Sequence, residues 1–213
     1  FQGTRIKARI KSRGKTPRDF KEAVDLLTAK IHEKKVLHRG RVFDFTVERI
    51  TLENDETIDL EVIRHPGAAA IVAMPDSETI LLLQQYRHAV GGYIWEVPAG
   101  TVDGGETPER CARRELIEET GFSGREFEKL GEITPVPGYS DERIHLFLAT
   151  GLAPDRQQLD RDELIRVEAV SLKNALAMID EGRIQDAKTI ASVMLTARRL
   201  GADIRRGGVS DKP

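Results

Sequence analysis

Residues 106–119 read ETPERCARRELIEE, and Glu115, Glu118 and Glu119 within them are spaced i, i+3 and i+4. On a helix turning about 100° per residue, these three carboxylates share one face. Like charges at that spacing repel by about 0.2–0.5 kcal/mol per pair. A face that is unfavourable by itself asks for a counter-ion. Hard divalent cations take oxygen ligands, and Mg²⁺ is commonly held by a few carboxylates together with substrate phosphates. Gly100, Gly104 and Gly105 lie just upstream, where missing side chains let backbone approach a ligand closely. A solvated acidic surface would account for any one of these glutamates. The cluster beside a glycine-rich loop points instead to metal-assisted chemistry.

The segment carries its own helix signals. Thr107 is a suitable N-cap, Pro108 suits the first helical position, and Gly121 suits the stop. Ala112 and Leu116 fall to one side of the glutamates and can face a core. Arg114 stands four residues before Glu118 and can pair with it. Glu106 can reach Arg114 or the helix N-terminus. Cys111 reads as a small apolar filler.

The elements that must position this helix follow from pattern. The 213 residues allow one generous domain with an appendage. With 39% apolar and 32% charged residues, the chain has a globular composition. Its net charge of −2 shows no bias toward nucleic acid or an acidic membrane surface. Cys111 is the single cysteine, so no internal disulfide can form, and a reducing cytoplasm is expected. No apolar run is long enough to span a membrane, and the start lacks the apolar core of a secretory signal. The opening Phe-Gln-Gly reads as the remnant of a protease site and is set aside.

Residues 1–18 form a basic arm without interleaved aromatics, a surface feature rather than a nucleic-acid platform. A helix is expected from Thr16 through residue 35, with Phe20, Val24, Leu27 and Ile31 at helical spacing. Residues 34–65 read as a small antiparallel sheet. Two apolar strands follow in 68–87, broken by a Pro-Asp-Ser turn. Further strands are expected at 127–133, 143–150 and 164–170, and helices at 172–181 and 186–199. The division is thus 1–32 arm and helical extension, 33–65 N-terminal sheet, and 66–205 main domain.

The stretch 100–122 resembles the Nudix box. The matching positions are Gly100, Glu106, Arg114, Glu115, Leu116, Glu118, Glu119, Gly121 and Phe122. Phe122 is aromatic where an aliphatic residue is usual. The resemblance implies an α/β/α sandwich with the box as loop–helix–loop. It also implies Mg²⁺-dependent, or Mn²⁺-dependent, hydrolysis of a nucleoside diphosphate linked to another moiety. On that pattern Glu115 and Glu119 are metal ligands, Glu118 is a further ligand or a base, and the Ala99 carbonyl joins the metal shell. Gly100, Glu106, Arg114 and Gly121 shape the motif.

Three features outside the box resemble the branch that hydrolyses ADP-ribose and other nucleoside diphosphate sugars. Pro137 lies sixteen residues after Gly121, and a glutamate on its loop is that branch's candidate base. Glu142 fills the position, with Asp141 the weaker choice. The segments QQYRH and WEVPAG would aim Arg87 at phosphate or ribose and Glu96 at the sugar or nucleotide. Trp95 is read as core. The 34–65 sheet lies where this branch builds a two-fold homodimer, with Arg64 reaching a phosphate across the interface. Phe43 or Phe45 would either stack on a base or pack in the core.

Two other readings compete. One is a Nudix hydrolase of NADH, a dinucleoside polyphosphate or an oxidised nucleoside triphosphate. The family's NADH enzymes carry a cysteine zinc site that one cysteine cannot build, and small triphosphate sanitisers lack the N-terminal sheet. The other is a non-catalytic nucleotide sensor, which would degrade the box that here stands intact.

Overall fold

A computed structural model of the chain describes residues 29–161 and 163–201. The basic arm and most of the expected N-terminal helix lie outside the described residues. The elements in order are β1 (Lys30–Arg39), β2 (Asp44–Thr51), β3 (Thr57–Arg64), β4 (Ala68–Ala73), β5 (Thr79–Arg87), β6 (Gly92–Glu96) and β7 (Ala99–Thr101). These are followed by α1 (Pro108–Thr120), β8 (Phe122–Ile133), β9 (Ile144–Pro154), β10 (Ile165–Ser171), α2 (Leu172–Asp180) and α3 (Ala187–Arg199). They form three sheets, ordered β1-β2-β3, β10-β5-β6 and β7-β4-β9-β8. Among the described residues no helix is long and apolar enough to cross a membrane.

The organising strand is β4, Ala-Ala-Ala-Ile-Val-Ala, every residue of which is buried. A strand covered on both faces reads as a continuous apolar run rather than an alternating one. Ala68, Ala70 and Val72 face one core with Leu146, Leu148, Ala175, Met178, Val193 and Ala197. Ala69, Ile71 and Ala73 face the other with Cys111, Ala112, Leu116 and Phe147. Helices α2 and α3 therefore cover one face and α1 the other, which is the expected α/β/α sandwich. The only parallel pairing between named strands is that of β4 with β9, Ala68 opposite Ile144. The short β7 pairs antiparallel with the start of β4, Ala69 opposite Gly100. Alanines at this crossing let β7, and the loop that follows it, come close to the core. Trp95 packs partly buried against the first core, as read.

Three expected boundaries move. Lys30 to residue 35 is strand rather than helix, because β1 pairs along its length with β2, Lys30 opposite Thr51. Ile31 continues an apolar helical spacing in sequence but stands exposed on that strand. Strand β8 starts at Phe122, five residues before the expected 127, immediately after α1. The Ser123-Gly124 pair looks like a turn in sequence, yet it is held opposite Ala153 and Leu152 of β9, which itself runs to Pro154. Tertiary pairing overrides local propensity here.

The N-terminal sheet meets the sandwich at the end of β3. Ile63 N–H donates to the Tyr139 carbonyl at 2.8 Å, and Asp141 N–H donates to the Ile63 carbonyl at 3.2 Å. The loop between β8 and β9 is thereby stitched to β3.

Candidate active site

Helix α1 starts and stops as its residues dictate. Thr107 Oγ1 accepts from Arg110 N–H, and Gly121 takes a left-handed φ of 72° while its N–H donates to the Ile117 carbonyl. With Ala112 and Leu116 packed on the sheet, Glu115 and Glu119 are carried inward beside them, 8% and 2% exposed. Gly100 makes this possible, since a Cβ there would lie 1.8 Å from Glu115 Oε1.

One guanidinium balances the carboxylates. Arg114 donates from Nε and Nη2 to the two oxygens of Glu106 at 3.2 and 3.0 Å. It also donates from Nη1 to Glu115 Oε1 at 2.6 Å and Glu118 Oε2 at 2.9 Å. A further bond runs from Nη2 to the Thr101 carbonyl at 3.1 Å. The expected Arg114–Glu118 and Arg114–Glu106 pairs both form. Arg114 holds the Glu106 carboxyl below its usual range, outweighing the effect of burial. Glu115 behaves oppositely. Burial pushes its carboxyl up to about 7, against the opposing pull of Arg114 and with help from Glu118 and Glu163. Glu119 is also raised well above the usual range, by burial and then by Glu115, although its Oε2 accepts from Ala99 N–H at 2.8 Å.

Such carboxylates fit a hard cation. They are oxygen donors, desolvated and short of positive charge, on a glycine-lined face. Among the described residues, no three His, Cys, Asp or Glu side chains already stand in the geometry of a metal cage. Arg114 occupies the space between Glu115 and Glu118 instead. Cys111 takes no part. Burial, then the charge of Glu115, pushes its thiol up to about 12.

The acidic face opens on a cleft of about 790 Å³. Glu115, Glu118 and Glu119 line it, as do Ala99, Gly100, Arg87, Glu96 and Glu142. The structure thus brings together most of the residues singled out by sequence. Arg87 is not free to roam. Its Nη2 donates to Glu96 Oε2 at 2.6 Å, and Nε lies 3.2 Å from both Glu96 oxygens. Glu142 Oε1 stands 4.0 Å from His65 Nδ1, beyond hydrogen-bond reach. Arg64 lies outside the cleft lining and is drawn to Glu48 and Asp141. Phe43 and Phe45 also lie outside it, Phe43 exposed and Phe45 half-buried.

Several cleft residues were missed by sequence reasoning. Lys188 lies 3.2 Å from Glu96 Oε1 and 3.0 Å from Asp186 Oδ2, so a second cation flanks Glu96. In sequence Asp186-Ala-Lys188-Thr189 reads only as a helix start. Asp160 and Glu163 line the cleft from the loop after β9, and Arg41 and Val42 from the turn after β1. The raised Glu115 and Glu119 carboxyls register the charge of Glu163, but no spacing signal links residues so distant in the chain.

The NUDIX domain model matches residues 63–193, a span containing β4 through most of α3 and the whole acidic helix. The chain belongs to the NUDIX family. An ADP-ribose pyrophosphatase of Bacillus subtilis (strain 168) is 36% identical over 169 residues, covering 78% of this chain and 91% of its own. A methanol dehydrogenase activator of Bacillus methanolicus is 38% identical over 170 residues, covering 79% of this chain and 92% of its own. A solved structure described as an ADP compounds hydrolase superposes with a TM-score of 0.72 at 21% identity, covering 82% of this chain and 95% of that one. That likeness supports the Nudix fold.

The acidic Nudix face predicts a pH dependence. Glu115 has its carboxyl raised from 4.5 to about 7 in the folded chain, so the folded state holds this proton more tightly than the unfolded state. The resulting stability is fully present below about pH 4.5 and is lost as pH rises through about 7. At about 1.4 kcal/mol per pKa unit, the loss is on the order of 3 kcal/mol. In EDTA, the urea midpoint should fall between pH 5 and pH 8, and a divalent cation at millimolar concentration should offset the fall. A flat profile in EDTA would contradict this account of Glu115.

Proposed function

We propose that the chain hydrolyses the pyrophosphate bond of a nucleoside diphosphate sugar, ADP-ribose or an ADP- or GDP-linked sugar. Water splits the P–O–P bridge. Its hydroxyl ends on one phosphorus and the bridging oxygen leaves with the other, giving a nucleoside monophosphate and a sugar phosphate. The observation that carries the reading is a single cleft combining two desolvated carboxylates, Glu115 and Glu119, with the cations Arg87 and Lys188. The Bacillus subtilis relative supports the same substrate class.

Mg²⁺ or Mn²⁺ is the proposed cofactor, held by Glu115, Glu118 and Glu119 with the Ala99 carbonyl. When bound, it would offset phosphate charge and make a water molecule more acidic. The residues of the chain do the rest. Arg87 and Lys188 present fixed positive charge, while Glu96 and Asp186 hold both cations in place. Gly100 lets the loop approach the reacting centre. Glu142 is the proposed proton acceptor, because it reaches the cleft from the loop of Pro137 without belonging to the buried acidic cluster. The rivals are Glu118, tied to Arg114, and Glu163, whose charge is felt at Glu115 and Glu119.

We also propose that residues 33–65 assemble a two-fold homodimer while 66–205 form the hydrolase domain. Ile31, Leu37, Phe43 and Leu60 are exposed apolar side chains on or beside this one small sheet, and a three-stranded sheet gains much from being covered. A second copy is the proposed cover, and the cytoplasm the proposed compartment.

Chromatography of products from ADP-ribose, ADP-glucose and GDP-mannose with Mg²⁺ at pH 8 should show a nucleoside monophosphate and a sugar phosphate from at least one of them. Survival of all three would sink the activity, and would leave a nucleotide sensor as the better reading. Glu142→Gln should lower kcat by about 10²–10⁴-fold with KM little changed and metal binding retained. Wild-type kcat in that variant, with loss in Glu118→Gln or Glu163→Gln, moves the proton acceptor to the residue whose loss is felt. Sedimentation at micromolar concentration should show a dimer that Leu60→Glu weakens. A wild-type monomer rules the assembly out.

A further inference from the structure

The loop that carries Glu142 is fastened at its far end and in its middle. At its far end Ala68 N–H donates to the Arg143 carbonyl at 2.9 Å, tying it to the central strand β4. In its middle it runs alongside the last residues of β3, with Ile63 bridged in parallel to Ser140. Ser140 Oγ accepts from the N–H of Glu142 at 3.2 Å, closing a small turn around Asp141.

Asp141 spends both carboxylate oxygens on β3 and its extension. Oδ1 accepts from His65 N–H at 2.8 Å and Oδ2 from Arg64 Nη1 at 3.0 Å. Partial burial works against its ionisation, but those two bonds outweigh it and hold the carboxyl below the usual range. The rest of the Arg64 guanidinium grips Glu48 of β2. Nε lies 2.8 Å from Oε1, and Nη2 bonds Oε2. Glu48 is 3% exposed and is fixed further by Thr46 Oγ1 at 3.1 Å and Lys34 Nζ at 3.5 Å. A continuous run of charge-assisted bonds thus links β2, the end of β3 and the residue next to Glu142. Such bonds are about twice as strong as neutral ones, and the forked guanidinium fixes their direction.

We propose that Asp141 and Arg64 are positioning residues, forming a latch between the N-terminal sheet and the 134–143 loop that sets where Glu142 and His65 stand in the cleft. In this chain the latch accounts for both side chains: Asp141 is committed as an acceptor from β3, and Arg64 to two carboxylates of its own chain. The shape of one cleft wall therefore depends on the packing of the N-terminal sheet, whose β1–β2 turn also lines the cleft through Arg41 and Val42. The consequence for turnover rests on the reading of Glu142 as proton acceptor, whereas the latch itself does not.

Hydrogen exchange of the full chain tests the latch without any substrate. Asp141→Ala should speed amide exchange in peptides covering 134–143 and leave α1 unchanged. Asp141→Asn keeps the acceptor for His65 N–H and loses the negative charge that faces Arg64, so it should give a smaller increase. Kinetics then test positioning. Asp141→Ala should lower kcat about 10–100-fold, with KM within about twofold and Mg²⁺ affinity, measured by calorimetry, at the wild-type value. Asp141→Asn should recover most of kcat. Unchanged exchange in 134–143, in either variant that folds, overturns the latch. A loosened loop with wild-type kcat overturns the positioning role. A loosened loop in Asp141→Ala alongside a fully active Glu142→Gln would keep the latch and remove Glu142 from the chemistry, so the two readings fail separately.

Discussion

The acidic face of α1 folds because one guanidinium stands among its carboxylates. Arg114 meets Glu106, Glu115 and Glu118 together, and it also takes the Thr101 carbonyl. Without it, a helix that needs its apolar side against β4 would carry unbalanced negative charge into the sheet. The arrangement is nevertheless incomplete. Arg114 satisfies Glu106 fully and Glu115 only in part, and Glu119 relies on a backbone N–H. The charge left over is the physical basis for reading this face as a cation site.

The scaffold turns that local balance into a site. Strand β4 is largely alanine and is buried on both faces, so β7 and its loop can lie close over α1. Gly100 completes the approach, since a Cβ would collide with the Glu115 carboxylate. The strong apolar packing on the inner side of α1 drives two glutamates into positions that would otherwise be unfavourable. The stability of the sandwich thereby holds the carboxylates ready.

Much of this was readable from the chain because it is local. Thr107, Pro108 and Gly121 mark the ends of α1, and the three glutamates announce their shared face by spacing alone. The sandwich was legible through the resemblance of residues 100–122 to the Nudix box, with the apolar strands and the helices around it consistent with that fold. What escaped depended on contacts between distant residues. Glu163 and Asp160 reach the cleft from a charged loop with no periodicity. Lys188 looks like any lysine in a first helical turn until Glu96 is placed beside it. Nothing in sequence pairs Arg64 with Glu48 or Asp141, the two carboxylates that hold it within the chain. The early start of β8 was hidden by a serine–glycine pair that only its partner strand makes extended.

The cationic wall has a closed form. Val97 N–H donates to Thr189 Oγ1, which donates to Asp186, and Asp186 also caps α3 through Thr189 N–H. Lys188 joins Asp186 to Glu96, the residue before Val97, and Glu96 holds Arg87. The side chains that form this charged wall of the cleft are thus tied to the ones that begin a helix and fasten it to the sheet. Any change to this wall is therefore coupled to helix integrity, since an N-cap is worth about 1 kcal/mol. Variation is less tied to this helix at the rim of the cleft, where Val42 and the loop of Asp160 stand outside the ring. Divergence in specificity among proteins built this way should accumulate at that rim, while the ring stays as it is.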